Sequence, residues 1–108
     1  IKDIYLNMQL YKLFLVIDIM LKSNYEFHKA FISSKILLKN KYLLDKMHLI
    51  DNLLQNGKSI KDSFFKTQIF DDIVLNLINT GEVSNSLGIT IDEIKKIYES
   101  KQKENDEK

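Results

Sequence analysis

Apolar residues recur along this chain at intervals of three and four, and strict alternation is weak throughout. That period belongs to helices with one buried face, so the chain reads as all-α. A first helix over residues 3–22 carries a core stripe of Leu10, Leu13, Phe14, Ile17 and Leu21. Tyr11, Leu15, Val16 and Ile19 fall off that stripe, leaving the helix apolar around more than half its circumference. Either it is the central helix of a bundle, or its outer face (Tyr11, Leu15, Ile19) meets another copy of the chain.

Ser23 and Asn24 end it, with Asn24 in the left-handed conformation that glycine often fills. A short second helix over 25–33 buries Phe27, Ala30 and Phe31 and leaves His28 exposed. The third begins at 38 or 40 and runs to 55 on Leu43, Met47, Ile50 and Leu54, with His48 on its surface. Asn56 and Gly57 stop it. Ser59 then caps a short fourth helix, with Asp62 at the third position in a capping-box-like arrangement and Ile60 and Phe64 as the buried pair. Phe70, Ile73, Val74, Leu77 and Ile78 form the stripe of a fifth helix, and Asp71 and Asp72 in its first turn favour the positive end of its dipole.

One short break separates that helix from a sixth built on Leu87, Ile91, Ile94 and Tyr98: Gly81-Glu82-Val83-Ser84-Asn85-Ser86. Gly81 and Asn85 both tolerate positive φ and are read as the corner, and Ser84 or Ser86 can cap the sixth helix. The expected architecture is a single-domain antiparallel bundle of about six helices joined by tight turns, over residues 1–100. Residues 101–108 form a polar tail.

Composition narrows the chemistry. The chain has 108 residues and no cysteine, which removes disulfides, thiolate metal sites and thiol nucleophiles. Sixteen lysines stand against 15 acids with no arginine, a balance that argues against a nucleic-acid or anionic-lipid surface. The longest apolar run, Leu13 to Ile17, is flanked by Lys12 and Asp18, so no segment approaches the roughly 20 apolar residues that cross a bilayer. Nor is there a basic stretch leading into an apolar block at the start, as a signal peptide requires. The chain opens on Ile1 rather than methionine and is read as a piece of something longer.

Against this background the short motifs resemble a known family. Asn24 through Ala30-Phe31, then Gly57-Lys58-Ser59-Ile60, then Phe70, then Gly81-Glu82-Val83-Ser84-Asn85-Ser86-Leu87 match the order and spacing of the type II secretion system F domain. This is the cytoplasmic domain of inner-membrane platform proteins in type II secretion, type IV pilus and competence systems. The resemblance extends over roughly residues 6–100. Asn24 and Asn85 stand where the family usually has glycine, and both keep access to the left-handed region.

The resemblance implies a non-catalytic scaffold or adaptor that docks the assembly ATPase and other platform proteins and self-associates. It implies a membrane-anchored parent chain at the bacterial inner membrane, this domain facing the cytoplasm, and a tail at 101–108 leading towards a membrane span outside this sequence. No cofactor is expected.

Glu82 is the residue a plain turn does not ask for. Three roles are open to it: accepting backbone N–H groups at the start of the sixth helix or pairing with a lysine, contacting a partner, or helping to hold a cation. For calcium, Glu82 with Asp71 or Asp72 supplies too few oxygens within one chain, and only a dimer interface doubles them. An alternative reading takes the last two helices as a helix-turn-helix for DNA. The second of these opens with Thr90, Asp92 and Glu93, whose acids face phosphate badly. An enzyme is disfavoured, because neither His28 nor His48 has a recognisable partner and no glycine-rich phosphate loop occurs.

Overall fold

The computed structural model describes residues 2–106, and every regular element in them is helical: α1 (Lys2–Lys22), α2 (Phe27–Lys35), α3 (Lys41–Gln55), α4 (Ile60–Phe65), α5 (Asp72–Val83) and α6 (Leu87–Asp106). The all-α bundle of six helices is therefore what the periodicity required. Helix α1 lies along α6 and against α2. The others pack in chain order, α2 on α3, α3 on α4, α4 on α5 and α5 on α6. The chain thus closes on itself around α1, with a radius of gyration of 13.1 Å.

Rings fill the centre. Phe14 of α1 stacks on Tyr98 of α6 with centroids 5.5 Å apart. It also meets Phe64 at 6.4 Å and Phe70 at 6.1 Å. Phe64 in turn touches Phe27, Phe31 and Phe70. The very short α4 is therefore anchored by one fully buried ring that contacts α1, α2 and the segment leading into α5. Leu13, Ile17, Met47, Ile50, Ile78, Ile91 and Ile94 pack around them without solvent exposure.

Three helices end the same way. After α1, Asn24 takes φ 67° while the Tyr25 N–H donates to Met20 and the Asn24 N–H to Leu21. After α3, Gly57 takes φ 82° with Lys58 donating to Leu53 and Gly57 to Leu54. After α5, Asn85 takes φ 53° and the Ser86 N–H donates to the Gly81 carbonyl at 2.7 Å. These are Schellman-type closures, which satisfy carbonyls the helix leaves open. Gln68, after α4, also has a positive φ of 59°, a position no turn residue in the sequence advertised.

Several boundaries differ from expectation, each for a local reason. Helix α2 starts two residues late, because Tyr25 is consumed by the closure of α1 and the Glu26 carboxylate then caps the His28 and Lys29 N–H groups. Phe70 precedes α5 rather than opening it, since Asp71 is the N-cap and accepts from the Val74 N–H at 3.1 Å. Ile73 is 64 % exposed, and Leu75 occupies the core in its place beside Val74 and Ile78. Gly81 is not a corner: it lies in the last turn of α5, and the chain turns at Asn85. Helix α6 continues into the polar tail through Asp106, and residues 107–108 lie outside the described residues.

The membrane reading needs one correction too. Over Asp3–Lys22, α1 has a mean hydropathy of 1.5 and is long and apolar enough to cross a bilayer. Counting unbroken runs missed it, because Asn7, Gln9, Lys12 and Asp18 interrupt the apolar runs without lowering the average below that of a span. Here its apolar surface is divided: one face fills the core, and the other remains outside.

Candidate functional site

Gly81 sits where α5 and α6 come closest. A Cβ at this position would collide with Thr90 Oγ1 and come within 3.1 Å of the Leu87 Cα. Glycine therefore lets the start of α6 press against the end of α5. The next residue, Glu82, turns away from α6 and reaches the start of α4. Its Oε2 accepts the Ile60 N–H at 2.7 Å and its Oε1 the Lys61 N–H at 3.2 Å. Ser59 Oγ accepts the Asp62 N–H at 3.0 Å. Three successive N–H groups at the head of α4 are thus satisfied by two side chains, one of them local and one from α5.

Glu82 is a cap, then, but of α4 rather than of α6. The expected capping box does not close through Asp62, which points outward beside Lys61 at 3.9 Å. Both Glu82 oxygens are engaged within the fold. Asp71 and Asp72 lie at the other end of α5, about 15 Å away by helical rise. Asp71 caps α5 and its second oxygen faces Lys101 at 3.6 Å, while Asp72 is exposed in the first turn. These three candidate cation ligands do not converge, and among the described residues no group of three or more His, Asp or Glu does.

The α1–α6 seam holds a polar network that hydrophobic periodicity did not reveal. Asp18 is buried, with its side chain 3 % exposed, and its Oδ2 accepts from Lys22 and Lys95, each at 3.1 Å. Lys95 also reaches Asp92 at 2.9 Å, and Lys22 and Lys96 approach Asp92 at 3.7 and 3.8 Å. Asp92 is held below the usual carboxylate range, first by the Lys95 ammonium beside it. Lys95 is raised, first by Asp92 and next by Asp18. Tyr11 belongs to this seam as well: it is half-buried and its hydroxyl donates to Glu99 at 3.3 Å. It therefore leaves the proposed outer face, where Leu15 is half-buried and Ile19 is 54 % exposed. Ile4 and Met8 join them there, at helical spacing. The only sign of Asp18 in the sequence was a lone acid in an apolar run, four residues from Lys22.

His28 is not the free surface residue expected. Its Nε2 lies 2.7 Å from Asp51 Oδ1, and Asp51 also accepts from Lys35 and Gln55, at 3.1 Å each. Asp51 is pulled down to about 2, chiefly by the His28 bond, with burial opposing. This cluster latches α2 to α3. His48 is exposed, as its register suggested.

Two of the three residues that a helix-turn-helix would set at the head of its second helix are committed elsewhere, while Glu93 stays exposed. Thr90 is buried against Gly81, and Asp92 belongs to the α1–α6 network. A family model described as "Type II secretion system (T2SS), protein F" matches residues 16–108, starting inside α1 and running further towards the C-terminus than the motifs alone suggested. No curated protein and no solved structure matches the chain.

Proposed function

The chain belongs to the type II secretion system protein F family, and from that membership we propose that it acts as a non-catalytic platform domain on the cytoplasmic face of the inner membrane. In this role it self-associates and offers docking surfaces to the assembly ATPase and other platform proteins of a secretion or pilus-like machine. The observation that carries the reading is the outward face of α1. Ile4, Met8 and Ile19 are exposed in one stripe, with Leu15 half-buried among them, although the opposite face of the same helix already fills the core. Exposed apolar side chains aligned on one face of a folded domain's helix mark a contact surface, and a second copy presents the same stripe in a two-fold arrangement.

The test is sedimentation equilibrium of the chain beside a Met8→Asp, Ile19→Asp variant. Both side chains are exposed, so helical circular dichroism stays unchanged while self-association weakens by about tenfold or more. A chain that is monomeric at every concentration, or a variant that associates as well as its parent, removes the proposed self-contact.

A further inference from the structure

Five of the chain's six phenylalanines, Phe14, Phe27, Phe31, Phe64 and Phe70, are buried in the core. The sixth, Phe65, is 54 % exposed. It is the neighbour of Phe64 in α4, so when Phe64 points inward the next ring must point out. Phe65 is not isolated on a flat surface. With Leu53 from α3 it lines a cleft of about 280 Å³ whose other walls are Lys58, Asp62 and Lys66. Lys61 adds a third ammonium, 5.3 Å from the centre of the Phe65 ring.

Charge decides what fits there. Lys61 faces Asp62 at 3.9 Å, and the ammonium groups of Lys58 and Lys66 pair with no acid among the described residues. Three cations therefore surround an apolar floor that carries a single carboxylate. At about 280 Å³ and open to solvent on one side, the cleft has room for one large side chain of a segment that continues outside it. Exposed aromatic rings are enriched where proteins meet.

We propose that the α3–α4 cleft receives an acidic segment of a partner protein bearing one large aliphatic or aromatic side chain. That side chain enters between Leu53 and Phe65, and its flanking carboxylates meet Lys58, Lys61 and Lys66. The cations steer the segment in, while the ring supplies the contact that selects it. A bilayer is a poorer occupant, because a concave site for one side chain presents little to a plane. This surface rests on the platform reading above and gives it a partner chemistry, on a part of the domain separate from α1.

The experiment uses a short synthetic peptide of aspartates and glutamates with one central leucine, and a counterpart with alanine in its place. Each is titrated into the isotopically labelled chain, with amide chemical shifts and calorimetry as readouts. The leucine peptide is expected to shift the amides of residues 58–66 and to bind about tenfold more tightly than the alanine peptide. Phe65→Ala, at an exposed position, should reduce the leucine peptide to the alanine level with unchanged helical content. Lys58→Gln with Lys66→Gln should lower affinity and flatten its salt dependence. Equal binding of the two peptides, shifts that map elsewhere, or no peptide binding beside co-sedimentation with phosphatidylglycerol vesicles would each overturn the proposal. Any of these leaves the α1 self-contact standing, since that is read by sedimentation of a different variant.

Discussion

Replacing Glu82 tests the central geometry most directly. Glu82→Ala removes both acceptors from the Ile60 and Lys61 N–H groups at the head of α4. Hydrogen bonds to an ionised group contribute about 1.5–3 kcal/mol each, and loss of an N-cap about 0.5–2 kcal/mol. The two effects overlap here, and the half-buried site lets water replace part of what is lost. The net cost is then about 2–3 kcal/mol, near 10–20 °C in Tm for a domain of this size. Glu82→Gln keeps one good acceptor but turns an NH₂ towards a backbone donor, so its cost is about 1 kcal/mol.

Urea unfolding gives these free energies, and hydrogen exchange locates them. The Ile60 and Lys61 amides should lose protection in Glu82→Ala, while the Asp62 amide, held by Ser59, changes less. A Glu82→Ala variant within about 0.5 kcal/mol of its parent, with those amides still protected, would refute the cap. The carboxylate would then be free, and a partner contact would be the better account of it.

The two glycines should respond to alanine for different reasons. Gly57→Ala meets open space but must hold φ 82°, a backbone cost of about 1–2 kcal/mol by chemical denaturation. Gly81→Ala has a helical backbone that alanine favours, yet its Cβ strikes Thr90 and crowds Leu87, so a loss of about 1–3 kcal/mol is expected. Adding Thr90→Ala should restore part of the second loss and none of the first. For pH, the folded Asp51 carboxyl sits at about 2, below its ordinary 3.8, so its stabilisation is complete above about pH 4 and is lost as pH falls towards 2. Acid titration of stability should show a drop of about 1–2 kcal/mol in that window, and Asp51→Asn should lack it.

The chemistry of single positions was legible from residue type. Asn24, Gly57 and Asn85 turn the chain because each tolerates a positive φ, and Ser59 caps α4 because its hydroxyl is short enough to reach back to the backbone. Gly81 looked equally local and was not, since its reason lies in Thr90 on the next helix. The partner of Glu82 is 22 residues upstream, that of His28 23 residues downstream, and that of Tyr11 88 residues away. Periodicity marks which face of a helix is buried but not which neighbour it meets, so the cap stayed ambiguous and Tyr11 was placed on the wrong side. Ile73 was misplaced for a related reason: α5 packs on both α4 and α6, and the face it turns to them runs through Val74, Leu75 and Ile78.

The polar seam explains why the outward face of α1 is a defined surface at all. A helix apolar around most of its circumference has little reason to prefer one rotation about its axis, because many rotations bury similar area. Asp18 removes that freedom. Turned away from Lys95, it would lose the one ion pair that crosses the seam and keep only Lys22 of its own helix, which is more exposed than Lys95. Tyr11 and Glu99 hold the same rotation further along the seam. With Leu13, Phe14 and Ile17 thereby fixed inward, Ile4, Met8 and Ile19 are fixed outward, in the same arrangement in every copy. The self-contact proposed for α1 needs that uniformity, and in this chain it comes from a few charges rather than from the hydrophobic pattern.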